Sequence, residues 1–526
     1  MDKKLITAIV LAAAVLLGYP YLLKQLFPPK PEPLRVSSSA ESREGAPAVS
    51  KGKAGAEARL KEAAALAAEE LTTIETPLYK AVFSSNGGGV KSWELKKYKE
   101  TRQQDSKNVN LAETIVKDLS LKTRIGNDGG FQTIALKPSK KEIVISSKEI
   151  AELIYEGGAK GGIRVEKRYV FTGGSYSVAT GIRVQNSGGA HFKGKAETVL
   201  FSGAAGKDTT GFHAGPIVQT SDKLLRQDVK NPQNSGSGTV KWMGLEDKYF
   251  LAALIPKTDT GINWITEAPS AEPSRAALQI PLELAPGELV KYGYDAFIGP
   301  KEYDTLLQYK TGLEEAIEFG YFSFMAKPTL VVLNFFQRYV INYGIAIVFL
   351  TVIIKVIFYP LTHYSLKSMK EMQNIQPQLL AIKEKFKDNK EKLNKEMMEL
   401  YKRYKINPLG GCLPMVLQIP VFIALYEVLY VAIELRHAPL FLWIKDLSDK
   451  DPYYVTPLIM GATMFIQQKM TPTTADPAQA KIMLIMPVVF TFMFLKFPSG
   501  LVVYWLINNV LSIAQQYYVQ KKGATA

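Results

Sequence analysis

The chain has 526 residues, with 64 Lys+Arg against 49 Asp+Glu, a formal charge of +15, and 47% apolar residues. That much apolar surface excludes a disordered or collagen-like chain. The single cysteine, Cys412, excludes an internal disulfide framework, and four histidines beside it leave little for a zinc or haem site.

Lys3 and Lys4 precede Leu5 to Leu23, a run in which Thr7 is the one clearly polar side chain. A run of that length spans a bilayer as a helix. A signal peptide would be followed by a small-x-small cleavage site, whereas Lys24-Gln-Leu-Phe27 leads into prolines. Residues 1–26 therefore read as an uncleaved anchor whose lysines keep its start in the cytoplasm. Residues 27–75 read as a linker, first rich in Pro, Ser and small residues, then an Ala/Glu-rich solvated helix from Ala54 to Glu70.

Over residues 76–312 the texture becomes that of strands. Alternating runs such as Lys80-Ala-Val-Phe83 and Gly162-Ile-Arg-Val-Glu-Lys-Arg-Tyr-Val-Phe171 are punctuated by Asn86-Gly-Gly-Gly, Asn127-Asp-Gly-Gly and Asn186-Ser-Gly-Gly. Many strands at short spacing predict an all-β sandwich, placed on the outer side by the anchor before it. Lys301 to Lys327 reads as helix, with Leu306, Leu307, Leu313, Ala316 and Ile317 on a rough apolar face. Residues 313–338 form an amphipathic region lying along the membrane interface.

Five further spans follow: Tyr339–Tyr359 (within a segment 339–360), then Met415–Ile433, Tyr453–Met470, Ile482–Phe497 and Leu501–Tyr518 within residues 411–520. Several are short or impure for a hydrocarbon core of about 30 Å. Residues 361–410 carry 11 Lys+Arg against 6 Asp+Glu, and the short tail, 521–526, is basic, whereas 434–452 is not. This asymmetry puts 361–410 and the tail in the cytoplasm. Leu379, Ile382 and Phe386, then Leu393, Met397, Leu400 and Tyr404, repeat at helical spacing around Asp388-Asn-Lys, predicting a cytoplasmic helical hairpin.

An ionisable residue inside a span is costly and is by default a functional candidate. Lys355 lies four residues before Tyr359, roughly 6 Å from the span's inner end. Two readings stay open for it: a groove charge, or a lysine snorkelling to the headgroups. Thr351 shares its helix face, and Gln418, Ser512, Gln515, Gln516, Gln467 and Gln468 lie at similar depth on other spans. Polar groups gathered from several helices suggest a wetted cavity in the inner half, against separate interfacial caps. Glu427, about 18 Å into its span, either pairs with Lys496 or snorkels outward. Catalytic signatures such as Gly-x-Ser-x-Gly, His-Glu-x-x-His or a phosphate-binding loop are missing. A Thr351–Lys355 protease dyad has nothing to orient an oxyanion hole. No metal site, cofactor or enzymatic activity is expected.

Phe358-Tyr-Pro-Leu-Thr362, Asn407-Pro-Leu-Gly-Gly-Cys412, Leu417-Gln-Ile-Pro420, Asp451-Pro-Tyr-Tyr454, Met470-Thr-Pro-Thr-Thr474 and Phe497-Pro-Ser-Gly-Leu501 occur in order over about residues 335–520. This set resembles the YidC-type membrane protein insertases. The anchor plus outer β domain is similar to their Gram-negative form, and Trp242-Met-Gly-Leu-Glu-Asp-Lys-Tyr-Phe250 and Gly299-Pro-Lys301 fit more weakly. The resemblance implies a polytopic α-helical membrane protein with six transmembrane helices, a periplasmic β-sandwich and a cytoplasmic hairpin, in the bacterial inner membrane with both termini cytoplasmic. It implies insertion of nascent membrane proteins through a hydrophilic groove open to cytoplasm and lipid. The family's groove arginine corresponds here to Lys355, with Thr351, Gln418, Ser512 and Gln515 as polar neighbours. Ile419, Phe422, Tyr504 and Trp505 are the implied substrate contacts. Implied partners are nascent membrane proteins, the lipid bilayer and the Sec translocon, with the ribosome and the signal recognition particle receptor as further candidates. A transporter or channel using the same cavity, and a non-catalytic assembly scaffold, are the alternatives.

Overall fold

A computed structural model describes residues 69–522 apart from 104, 118, 128–129, 203–205, 208–211, 228–232, 258–260, 270–272, 388, 405–412 and 472–476. The expected anchor, most of the linker, Asn407–Cys412, part of Met470–Thr474 and the last four residues lie outside the described residues. Among the described residues the chain forms two compact units, one built from residues 69–318 with Val431–Glu434, the other from Phe319–Tyr430 and from Leu435 onward.

The first unit is β-rich. It begins at Leu71–Glu75, earlier than the expected 76, because that strand pairs antiparallel with Tyr79–Ser84 and parallel with Glu142–Val144, burying Ile74. Three sheets of five, ten and six strands result, rather than a plain two-sheet sandwich. The six-stranded sheet packs its strand Arg275–Leu284 against His213–Thr220 and Val240–Glu246 of the ten-stranded one.

Alternation decides what each strand buries. In Ile163–Thr172 the side chains of Ile163, Val165, Lys167, Tyr169 and Phe171 all face inward. Lys167 is thereby carried into the core, where its ammonium donates to the carbonyls of Gly87 (3.2 Å), Gly88 (3.5 Å) and Leu121. Gly87 and Gly88 have φ of +68° and +61°, and a Cβ on Gly87 would lie 2.9 Å from that of Lys122. Only glycine suits that turn. The Asn186 signal marks a crossing between sheets rather than a hairpin. Strand Ser177–Asn186 belongs to the ten-stranded sheet and Phe192–Phe201 to the six-stranded one. The buried Asn186 amide donates to the Ala190 and Leu284 carbonyls and accepts from the Gly188 N–H, holding the corner.

The expected continuous helix over 301–327 does not form. Helix α1 is Tyr303–Leu307, a 3-10 turn covers Leu313–Ala316, and α2 is Ser323–Val340. Lys310, Gly312 and Gly320, all at positive φ, interrupt the run.

The second unit continues with α3 (Tyr343–Asn374), α4 (Gln376–Lys385), α5 (Lys390–Arg403), α6 (Leu413–Val431), α7 (Val455–Met470), α8 (Pro477–Phe494) and α9 (Ser499–Lys522). Among the described residues α3 is the helix long and apolar enough to cross a membrane by length and composition, and Gln418–Val431 and Met483–Phe494 are shorter apolar stretches. The sequence reading ends a span at Tyr359, but α3 runs through Pro360 to Asn374. Proline is tolerated in such helices where side chains re-satisfy freed backbone groups, and the Thr362 hydroxyl donates to the Phe358 and Tyr359 carbonyls here. The hairpin is α4 and α5. Ile375, Leu379 and Leu400 are buried together, flanked by Met372, Ile382, Met397 and Tyr401, and Asn389 caps α5 by accepting from the Lys392 N–H. Helix α9 packs on α3 and α7, and α8 on α7.

Candidate functional site

One cleft of the helical unit lies on α3, α6 and α9 and is lined by Ile354, Lys355, Phe358, Thr362, Gln418 and Asn508, among others. Its charge is Lys355, half-buried, whose Nζ donates to Ser512 Oγ at 2.7 Å. The Ser512 hydroxyl in turn donates to the Asn508 carbonyl, one helical turn back, at 2.7 Å. The serine hydroxyl thus bridges the lysine and the backbone of its own helix. Nearby, Gln515 Nε2 donates to Thr362 Oγ1 at 2.8 Å, and Gln418 Nε2 donates to Tyr504 Oη at 2.9 Å. The cleft thus offers one cation and a set of neutral donors and acceptors, carried by walls that are otherwise apolar.

Sequence spacing and structure part company at Thr351. It lies on the Lys355 face, yet it is fully buried and its hydroxyl donates to the Ile347 carbonyl at 2.7 Å. Back-bonding of this kind is the habit of threonine inside a helix and removes its hydroxyl from the cleft. Tyr504 is also fully buried and holds Gln418. Ile419 is exposed, while Phe422 and Trp505 pack edge to face at 5.0 Å, with Phe494 at 6.1 and 5.3 Å from them. Gln516 and Gln520 lie away from the cleft, both donating to the Met470 carbonyl, and Asn509 donates to Thr463 Oγ1 and the Met460 carbonyl, tying α9 to α7.

Thr362 and Asn508 line the cleft and were not singled out from the sequence. Their signal was present: Thr362 is seven residues after Lys355 and Asn508 four before Ser512, so each shares a helix face with a recognised member. Glu427 turns toward Gly320, three residues ahead of α2: a Cβ placed on Gly320 would meet its Oε1 at 2.9 Å. No group of three His, Cys, Asp or Glu suited to a metal occurs among the described residues.

Comparison with known proteins places these units in context. A family model described as the YidC periplasmic domain matches residues 71–332, and one described as 60Kd inner membrane protein matches 335–525. A protein of Syntrophus aciditrophicus named membrane protein insertase YidC is 44% identical over 99% of this chain and all of its own length. One of Geobacter metallireducens with the same name is 43% identical over 100% of this chain and 99% of its own. Among solved structures, the active YidC insertase with its first transmembrane domain resolved matches over 86% of this chain and 95% of that chain, at 19% identity and a TM-score of 0.38.

Proposed function

The chain belongs to the YidC family and is a membrane protein insertase of the bacterial inner membrane with a periplasmic β-rich domain; from this premise we propose that the Lys355 cleft is the groove through which it works. Six helices cross the bilayer, both termini and the α4–α5 hairpin are cytoplasmic, and the hairpin receives the nascent chain. A polar terminus or loop of the client enters the cleft. There Lys355, Gln418, Thr362 and water lower the cost of taking its polar groups out of bulk solvent. The client's apolar segment leaves along Ile419 and the Phe422–Trp505 edge into lipid. Transfer of apolar surface out of water drives the process, so no bond is made or broken and no nucleotide is consumed. Cooperation with the Sec translocon, the ribosome or the signal recognition particle receptor belongs to the same proposal and rests on the family resemblance.

The observation that carries this reading is the half-buried Lys355 cation held toward the cleft by Ser512. Coulomb attraction at about 4 Å is worth ~1 kcal/mol in water and ~4 kcal/mol at a partly buried site. The test is insertion of a single-span client with an acidic tail into liposomes containing the purified protein, scored by protease protection. Lys355→Ala is expected to lower protection and Lys355→Glu to lower it further, whereas a client with a neutral tail responds less. Equal protection by wild type and Lys355→Glu on the acidic client would remove the charge from the mechanism.

A further inference from the structure

Residues 435–454, between α6 and α7, form a tightly tied turn. The Leu440 N–H donates to the Ile444 carbonyl at 3.0 Å and the Leu447 N–H to the Ala438 carbonyl at 2.9 Å. Asp446 and Asp451, both buried, accept from Ser448 within the segment and from Thr456 in the first turn of α7, respectively. Two helix ends hold the turn. Asn342, the N-cap of α3, donates to the Leu440 carbonyl at 2.6 Å, and a Cβ on Gly344 would lie 1.9 Å from a Leu440 methyl. At α9 the Ser499 hydroxyl donates to the Asp446 carbonyl and the Gly500 N–H to that of Leu447. Leu440 therefore sits level with the first turn of the long apolar helix.

Immediately beyond this tie the chain presents apolar side chains outward. Phe441 is 60% exposed and Leu442 67%, and Leu442 has φ +56°. Across the Asn342 tie Ile341 repeats the combination, 83% exposed at φ +55°. Left-handed backbone is costly for bulky and above all β-branched residues, and exposure to water is costly for their side chains. The Ile341 N–H caps α2 by donating to the Gln337 carbonyl at 2.8 Å, and the tied turn holds Leu442, so backbone bonds offset the first cost; among the described residues the side chains stay exposed. Tyr453 and Tyr454 are exposed in the same segment, and Lys445 is an exposed cation three residues after Leu442. Bare aliphatic groups, aromatics with a polar tip and a long cation in one short segment are what the boundary between hydrocarbon and headgroups accepts. The patch continues into exposed apolar side chains running down α3, namely Ile345, Phe349, Val352 and Val356.

We propose that Ile341, Phe441 and Leu442 form a wedge that enters the outer lipid leaflet, with Lys445 meeting lipid phosphate, and that this contact sets the depth at which the helices stand. The inference rests on the reading that α3, α6 and α7 cross the bilayer. The tied turn holds Leu442, and the C-cap of α2 holds Ile341, in the left-handed geometry that leaves their side chains exposed.

The full chain carrying Cys412→Ser and Leu442→Cys, labelled with an environment-sensitive fluorophore, is placed in nanodiscs of zwitterionic and anionic lipid. A second preparation is labelled at Val356→Cys as a mid-helix control. The expected result is blue-shifted emission at position 442, loss of signal with lipid spin-labelled near the headgroup, and little loss with aqueous iodide. Loss with iodide and none with spin-labelled lipid would put the turn in water and overturn the wedge. Silence toward both quenchers, with Val356 still quenched by lipid, would mean that protein covers the patch and would overturn it equally. Failure of lipid to quench at Val356 would instead overturn the membrane reading of α3, and the wedge with it.

Discussion

Glu246 is a fully buried carboxylate that accepts from Arg226 Nε at 2.7 Å, Lys301 Nζ at 2.8 Å and the His213 ring at 3.0 Å. Burial pushes this carboxyl up, but Lys301, His213 and Arg226 outweigh it and hold it down at about 2. Its contribution to stability is therefore present above its ordinary value of 4.5 and is lost as pH falls toward 2. Thermal melts of the full chain should show the β unit keeping its stability to about pH 4.5 and losing it below. Glu246→Gln should cost roughly 3–5 kcal/mol at neutral pH, because it strands buried cations, and should flatten that acid dependence. An unchanged acid limb would show that the carboxylate is not the controlling group. Glu246 and Lys301 lie in short motifs visible in the sequence, Trp242–Phe250 and Gly299–Lys301, but nothing in their spacing announces the ion pair. Lys167 differs in this respect. It lies in the alternating run Gly162–Phe171, and period-two geometry carries it to the inward face; its acceptors, the carbonyls of Gly87, Gly88 and Leu121, come from elsewhere in the chain.

Helices of the second unit meet through small residues. A Cβ on Gly461 of α7 would lie 2.0 Å from Thr491 Oγ1 of α8, so the two backbones approach as closely as glycine permits. Gly461→Leu should force α7 and α8 apart and lower the melting temperature of the helical unit in detergent. A melt identical to wild type would mean the contact is not tight. Helix α3 has 32 residues, about 48 Å at 1.5 Å per residue, longer than a ~30 Å hydrocarbon core. Composition alone marked where its apolar run stops, at Tyr359, and suggested that the helix stops there too. The helix continues because residues 361–374 are good helix formers and Thr362 supports the proline turn. The 301–327 segment failed in the opposite sense. Its apolar spacing was helical, but backbone at positive φ at Lys310, Gly312 and Gly320 breaks it three times.

At the scale of the whole molecule, two units with separate cores share one chain. Chains of this kind commonly depart from a single all-or-none transition. Calorimetry of the full chain should resolve two transitions, of which Glu246→Gln moves only one and Gly461→Leu only the other. A shared shift in both variants would show the units to unfold as one. The family, the β-rich domain and the helical hairpin were legible without coordinates, because period-two and period-3.6 patterns are local and the family's motifs are short and ordered. Which polar groups meet was not legible. Thr351 and Gln515 looked alike as polar neighbours, yet the first is turned back on its own helix while the second reaches Thr362 across the gap. Side-chain rotamers and helix rotation decide such contacts, and both follow from packing between residues as far apart as Lys355 and Ser512. The sequence by itself determined the β-rich and helical halves, most of their elements and the family they belong to. Tertiary structure alone decided the Ser512 partner of Lys355, the Glu246 ion cluster and the tie that turns Phe441 and Leu442 outward, because each depends on distances between distant segments that no local pattern encodes.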